Sequence, residues 1–328
     1  MIKDEVLHIV IMARERQTEV LRAISAIKNV DFGMKTRITV SDNASTSEKA
    51  LKNLPQDIEH VIRVPSGDTF WHFNKIISEF DSDWALITHD DDELLPEFGA
   101  FFRKHSSDEN VNVISGRSRI MNTDGLEIFS KDYEARLQSA GLVSNETKLV
   151  EDFPKLLFRY GSLFPASAIA VRTDTLRSMP IMTTETGLAY DLAYSFRISS
   201  QTGVFYEGSK PVMNYYIHGG NSVFSSEAFS GLHFDLLIAR LESIKLGIVK
   251  PSFLKYLRLL TDSVKARLIS FSFGNFEKVD FYDSFIRRDK NSIPFGFLFA
   301  ISRFNFRCKS LFKFIRNMLE RKVSRTYG

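Results

Sequence analysis

Over its first 125 residues the chain alternates short apolar runs with runs in which apolar residues recur at helical spacing. Residues 7–12, 37–42, 61–64, 84–88 and 111–114 are rich in strand-forming side chains and predict five strands. Apolar residues between them fall on single helical faces: Val20, Ile24 and Ile27, then Phe73, Ile76, Ile77 and Phe80. This alternation predicts an α/β fold with a mostly parallel central sheet flanked by helices. Ligands of such sheets bind beyond the carboxyl ends of the strands, so the residues that follow each strand are candidate functional residues.

Two of these strand ends carry side chains suited to a nucleotide. The first predicted strand is followed by Ala13, Arg14 and Arg16, and an arginine near the start of a helix can bind phosphate. The second ends at Asp42, inside the sequence Ser-Asp-Asn-Ala-Ser, where a carboxylate can accept hydrogen bonds from a base or a ribose. Capping a helix or closing a turn is the alternative role for Asp42.

Three consecutive carboxylates, Asp90, Asp91 and Asp92, come directly after the apolar run of residues 84–88. Adjacent carboxylates at a buried sheet edge repel one another unless a cation neutralises them. Carboxylate oxygens are the ligands that Mg²⁺ and Mn²⁺ prefer, so the run predicts a site for one of these ions. An exposed acidic turn that holds no ion is the alternative.

Taken in order, these motifs resemble the family 2 glycosyltransferases, which have the GT-A fold. The resemblance rests on Arg14 and Arg16 after the first strand, the segment around Asp42, Asn74 on a helix and the Asp-Asp-Asp run at 90–92. It covers residues 6–222. It implies a Rossmann-like sheet and a hexosyltransferase that moves a sugar, with inversion, from a UDP-linked donor to a hydroxyl of an acceptor.

The resemblance also implies roles for individual residues. It assigns donor contacts to a set at the strand ends: Ala13, Arg14, Arg16, Asp42, Asn74, Asp90 and Asp91. Within this set Asp42 meets the nucleobase, while Asp90 and Asp92 serve the ribose and the metal ion. The first motif departs from the family's common Thr-Tyr-Asn-Arg pattern, because Ala13 and Arg14 stand there instead.

Asp191 is the candidate catalytic base, in a Tyr-Asp-Leu sequence of the kind with which this family opens its catalytic helix. Inverting transfer needs a carboxylate to take the proton from the attacking hydroxyl. The family often has an acid immediately before this aspartate, whereas here Tyr190 stands there and Glu185 lies six residues back. A helix cap is the alternative role.

His218 is the candidate third metal ligand beside Asp90 and Asp92, because residues 216–222 resemble the family's His-x-x-Asn segment. A neutral imidazole can coordinate a metal or donate to a phosphate oxygen. His89, next to the triple aspartate, is the competing candidate, and a purely structural histidine is the alternative.

The C-terminal part of the chain differs from the rest, so two domains are expected, at residues 1–225 and 226–328. Helical spacing over residues 231–276 predicts a helical appendage. Residues 285–328 hold eleven Lys or Arg against two acids, a net charge of +9, which leaves −6 for the remainder of a chain whose total is +3. Phenylalanines interleave with these charges, which suits peripheral contact with an anionic membrane. Packing against the core or forming a homodimer is the alternative.

Other classes of protein lack their motifs here. The chain has no Gly-x-Gly-x-x-Gly, and residues 203–210 have phosphate-loop spacing without the Gly-Lys-Ser/Thr order. A single cysteine, no signal peptide and no long apolar run indicate a cytoplasmic protein, peripheral to the inner face of a membrane. The expected partners are a nucleotide sugar and a glycan or lipid-linked glycan of a surface polysaccharide such as O-antigen, and no nucleic acid is expected. The alternatives are a retaining transferase and a non-catalytic carbohydrate- or lipid-binding protein.

Overall fold

The computed structural model describes residues 5–143, 147–163, 165–200, 203–217, 226–273 and 282. This part of the chain contains the following strands: β1 (Val6–Ala13), β2 (Lys35–Asp42), β3 (Glu59–Ile62), β4 (Trp84–His89), β5 (Glu93–Leu94), β6 (Val113–Gly116), β7 (Ser118–Met121), β8 (Lys148–Val150), β9 (Ile169–Arg172), β10 (Val204–Glu207) and β11 (Met213–Tyr216). Its helices are α1 (Gln17–Lys28), α2 (Thr69–Glu79), α3 (Pro96–His105), α4 (Lys131–Ser139), α5 (Phe153–Tyr160), α6 (Thr173–Ser178), α7 (Tyr190–Ser199), α8 (Ser226–Lys245) and α9 (Phe253–Phe273).

An eight-stranded sheet forms the centre of the fold, in the order β3-β2-β1-β4-β9-β6-β10-β8. Strands β3, β2, β1 and β4 are parallel, and β10 is parallel to β6. Strand β9 runs antiparallel between β4 and β6, and β8 is an antiparallel edge strand. The predicted α/β architecture, a large mainly parallel sheet flanked by helices, is confirmed.

The parallel register brings the first two predicted strand ends and the acidic run to one edge of the sheet. Ala13 at the end of β1 is level with Asp42 at the end of β2, and Met12 is level with His89 at the end of β4. Strand β1 lies between β2 and β4, and Leu7, Ile9 and Ile11 on it are completely buried. Polar side chains that follow these strands are therefore held by the most buried part of the sheet.

A second, three-stranded sheet in the order β5-β11-β7 begins directly after the acidic run. Strand β5 starts at Glu93, which pairs with Asn214 of β11. The loop of Asp90, Asp91 and Asp92 is thus anchored by a strand at each end, β4 before it and β5 after it.

The chain divides into two compact units. The first comprises residues 1–183 and 194–218 and contains both sheets. The second comprises residues 184–193 and 219–328, and its described part includes the turn at Thr184–Ala189, the start of α7, and helices α8 and α9. The domain division predicted between residues 225 and 226 stays a prediction.

Helices α8 and α9 lie where helical spacing predicts them. The basic, phenylalanine-rich tail, residues 285–328, lies outside the described residues, so its role stays a prediction. Within the described ranges, no helix combines the length and apolar character that crossing a membrane requires.

Candidate functional site

The acidic loop between β4 and β5 places charged groups at the end of a buried, mostly apolar strand. Asp90 and Asp92 are buried, with 0% and 3% of their surface exposed, whereas Asp91 is half-buried. Removing carboxylates from water is costly unless they are paired or bind a cation. The partners of each carboxylate therefore indicate what the loop can bind.

Asp90 and Asp91 are bridged by Arg16, which comes just after β1. Its Nη2 lies 2.5 Å from Asp90 Oδ1, its Nε donates to Asp90 Oδ2 at 3.1 Å, and its Nη1 donates to Asp91 Oδ2 at 2.7 Å. The backbone N–H of Arg14 also donates to Asp90 Oδ2, at 3.3 Å. Burial raises the pKa of Asp90 to about 6, although the Arg16 charge opposes this. Arg16 thus offsets only part of the cost of burying the Asp90 charge.

Asp92 contacts Ser167 and His89. Ser167 Oγ, in a short turn before β9, donates to Asp92 Oδ2 at 2.5 Å. His89 Nδ1 lies 3.6 Å from the same oxygen. Burial raises the pKa of Asp92, and the hydrogen bond from His89 opposes the rise. Burial lowers the pKa of His89, but its hydrogen bond to Asp92 and the nearby carboxylate charges outweigh this, so the pKa is raised.

His89, Asp91 and Asp92 form a group that fits a divalent cation. One potential ligand atom from each lies within 4.8 Å of those of the other two. Asp92 Oδ1 is buried and has no hydrogen-bond partner among the described residues, so it remains available as a ligand. Carboxylate oxygens with one imidazole suit Mn²⁺, and the oxygens alone suit Mg²⁺. The donor set therefore fits either predicted ion.

The group differs in part from the predicted ligands Asp92, Asp90 and His218. Asp90, whose carboxylate pairs with Arg16, is not in it, and its role as a metal ligand stays a prediction. His218 lies outside the described residues. His89, which competed with His218 on sequence grounds, is in the group.

Asp42 is completely buried at the end of β2. Its Oδ2 accepts from the backbone N–H of Leu51 at 2.7 Å and lies 3.2 Å from His60 Nε2. Leu51 is nine residues away, so the carboxylate fastens the loop after β2 rather than closing a local turn. Its Oδ1 is buried and has no hydrogen-bond partner among the described residues, as expected of an acceptor that awaits an N–H or O–H donor.

The remaining predicted donor residues have protein partners. Arg14 is exposed, and its Nη2 donates to Ser45 Oγ at 3.3 Å. Asn74, on α2, donates to Met182 O at 2.8 Å and accepts from Met182 N at 3.2 Å. These bonds give Asn74 a structural contact with the segment before the second unit. The donor contacts of Ala13, Arg14 and Asn74 stay predictions.

Asp191 lies in the first turn of α7, within the second unit. It is half-buried, and its Oδ1 accepts from the N–H of the next residue, Leu192, at 2.7 Å. A carboxylate at a helix N-terminus is stabilised in its charged form by the helix dipole. Its role as a catalytic base stays a prediction.

Two partners of the acidic loop carry no motif that marks them in the sequence. Ser167 lies in the short turn at Ala166–Ala168 that meets Asp92, directly before β9 begins at Ile169. Arg22, on α1, donates to Asp91 O at 3.0 Å and pairs with Glu93 Oε1 at 3.0 Å. The only sign of Arg22 in the sequence is its position on the helix that follows β1 and Arg16.

No protein-family model and no curated protein sequence matches this chain. Among solved structures, S. aureus TarS 1-349 in complex with UDP is 10% identical, with a TM-score of 0.49 over 96% of this chain and 91% of that one. The mannosyltransferase PcManGT from Pyrobaculum calidifontis, in complex with GDP-Man and Mn²⁺, is 12% identical, with a TM-score of 0.50 over 90% of this chain and 78% of that one. At such identities the likeness concerns architecture alone. Together with the sheet order, the likeness to PcManGT assigns this chain to a mixed α/β, GT-A-like fold.

Proposed function

We propose that this protein is a metal-dependent, inverting glycosyltransferase that moves a sugar from a UDP-linked donor to a hydroxyl of a glycan. The observation that carries the proposal is the meeting of Asp42, Arg16 and the His89–Asp91–Asp92 group at one edge of a GT-A-like sheet. That edge is where α/β sheets bind nucleotides. The structural neighbours include proteins in complex with UDP and with GDP-Man and Mn²⁺, which supports a nucleotide-sugar donor.

Each group at the edge has a chemical task in this proposal. Asp42 Oδ1 is a single buried acceptor, which suits the one ring N–H of uracil. Asp90, held by Arg16, receives ribose hydroxyls at a carboxylate whose Oδ2 already accepts from the Arg14 backbone N–H and from Arg16 Nε. His89, Asp91 and Asp92 would hold the cation, which when bound neutralises charge on the donor's diphosphate.

Asp191 is the proposed base. It would take the proton from the acceptor hydroxyl as that oxygen attacks the anomeric carbon and the diphosphate departs on the opposite face. Its position in the first turn of α7, where the helix dipole favours a negative charge, suits a general base. Asp191→Asn should lower kcat by roughly 10² to 10⁴ and leave the Kd for the donor unchanged, since the amide cannot accept the proton.

The proposed acceptor is a glycan or lipid-linked glycan of a bacterial surface polysaccharide, reached from the cytoplasmic face of the membrane. The +9 charge of residues 285–328 and their interleaved phenylalanines support peripheral membrane contact. A homodimer built through the same tail is the alternative that the truncation described below would distinguish.

A donor screen tests the proposal most directly. Purified protein is incubated with UDP-, GDP- and dTDP-sugars and simple glycan acceptors, with Mn²⁺ and with excess EDTA, and released nucleoside diphosphate and glycan product are measured. We expect transfer from a UDP-sugar with Mn²⁺, none in EDTA, and a product of inverted anomeric configuration. A retained configuration would contradict the inverting mechanism, and metal-independent transfer would contradict the cation site.

A further inference from the structure

A buried carboxylate on α8, Asp235, holds the turn that leads into the helix of Asp191. Asp235 has no exposed surface, and its Oδ2 accepts from the backbone N–H of Leu188 at 2.9 Å. Leu188 lies in the short turn at Thr184–Ala189, three residues before Asp191. Both groups belong to the second unit.

Gly187 fits the turn closely against the same carboxylate. Its φ of 48° and ψ of −125° break the helical geometry of the turn, and a positive φ favours glycine. A Cβ placed on Gly187 would overlap both oxygens of Asp235. The absence of a side chain at Gly187 therefore lets the carboxylate reach the Leu188 N–H.

The Leu188 N–H precedes α7, so no hydrogen bond of that helix would satisfy it. Asp235 supplies the acceptor from a helix 47 residues farther along the chain. The turn is thereby fixed to α8, and the first turn of α7, which bears Asp191, follows it without an intervening loop.

We infer that Asp235 is a positioning residue for the catalytic base Asp191, with Gly187 as the residue that permits the contact. The inference rests on the proposed function, because Asp191 acts as a base only in a transferase. General-base catalysis depends on placing the carboxylate within hydrogen-bond reach of the attacking hydroxyl, and a displacement of about 1 Å can cost about 100-fold in rate. Helix α8 is then part of the catalytic apparatus and not an appendage to it.

The test compares Asp235→Ala, Asp235→Asn and Gly187→Ala with the wild-type chain. The control is Asp262→Ala, which removes a carboxylate of the same unit that pairs with Arg240, 3.1 Å away, and not with the turn. Transfer kcat, donor Kd and thermal stability are measured for each, and each change is repeated on an Asp191→Asn background. Hydrogen exchange at the Leu188 amide reports the contact itself.

We expect Asp235→Ala and Gly187→Ala to lower kcat by about 10- to 100-fold with donor Kd unchanged. Asp235→Asn, which keeps an oxygen for Leu188, should recover most of the activity. On the Asp191→Asn background the same changes should have little further effect on kcat, because no base remains to be positioned.

Three results would overturn the inference: a kcat of Asp235→Ala within about threefold of the Asp262→Ala control, an equal loss on the Asp191→Asn background, or unchanged exchange at Leu188. If Asp235→Ala does not fold, Gly187→Ala decides, since it displaces the turn while the carboxylate stays in place. A wild-type chain that transfers no sugar refutes the proposed function, whereas an active chain indifferent to Asp235 refutes this inference alone.

Discussion

Acid should weaken the fold through His72, a buried histidine that ties α2 to the end of β2. His72 is 3% exposed, and its Nε2 lies 2.8 Å from Ser41 Oγ. Ser41 Oγ also accepts from Arg63 Nε at 2.7 Å, so its own proton is free to be donated to the imidazole. This arrangement suits a neutral His72 that accepts at Nε2. Burial and the charge of Arg63 lower the pKa of His72 from 6.5 to about 4.

The sign and size of the effect follow from that shift. Between about pH 6.5 and pH 4 the unfolded chain binds a proton at His72 and the folded chain does not, so stability falls as the pH falls. The shift of about 2.5 units corresponds to about 3 kcal/mol once the pH is below 4, and to about 2 kcal/mol at about pH 5. At about pH 7 the contribution of this group to the pH dependence is close to zero.

Urea unfolding of the wild type and His72→Gln at several pH values between about 7 and 4.5 measures this effect. The glutamine retains a hydrogen-bonding group but does not titrate, so the variant should lose about 2 kcal/mol less than the wild type between about pH 7 and pH 5. A loss of stability that is the same at every pH does not affect the test, because the slopes of the unfolding free energy against pH are compared. His105→Gln, at a half-buried histidine, is the control and should change the slope less. Parallel curves for wild type and His72→Gln would refute the reasoning.

Three further outcomes are expected. Asp92→Asn should weaken Mn²⁺ binding, measured by calorimetry, by more than about tenfold and abolish transfer, because it removes a buried ligand; wild-type affinity would contradict the cation site. Ser167→Ala removes the hydrogen bond to Asp92 and should weaken Mn²⁺ binding by about 10- to 100-fold. The control Ser115→Ala, at a buried serine that donates to Ala168 O, should leave Mn²⁺ binding unchanged, and equal effects of the two variants would make Ser167 merely structural. Deleting residues 291–328 should reduce salt-sensitive co-sedimentation with anionic liposomes and leave donor binding unchanged. Membrane contact would be contradicted if liposome binding were undiminished, or if the deletion instead converted a dimer to a monomer.

The local parts of the fold were predictable because their causes are local. Strands β1 and β4 are mostly apolar and β2 is rich in β-branched residues. Polar residues follow each of them, and their positions agree with the prediction to within two residues. The pairing of strand β9 could not be predicted from its sequence. Its pairing with β4 and β6, antiparallel in the middle of a mainly parallel sheet, depends on partners about 55 to 90 residues away, and nothing in its four residues specifies them.

The candidate site was likewise predictable only in part. Asp42 and the aspartates at 90–92 were predictable, because charge directly after a buried strand is unusual in any chain. Which of these side chains come together with His89 was not, since it depends on which way each one turns, and the ligand role of Asp90 stays a prediction. The contact of Asp235 with Leu188 likewise joins two segments whose sequences give no sign of each other.

Under the proposed function, the charges at the edge of the sheet formed by the ends of β1, β2 and β4 link donor binding to the cation. Asp42, Asp90 and Asp92 are all buried there, and Arg16 is the guanidinium that pairs with this acidic loop from the end of β1. A nucleoside offers N–H and O–H donors that match these carboxylates, but its diphosphate is an anion and is repelled by them. In the proposed function, a divalent cation held by His89, Asp91 and Asp92 would reverse the sign of the field on the diphosphate side and leave Asp42 to accept from the base. We therefore expect the carboxylates that make this edge costly to fold to make donor affinity depend on the metal.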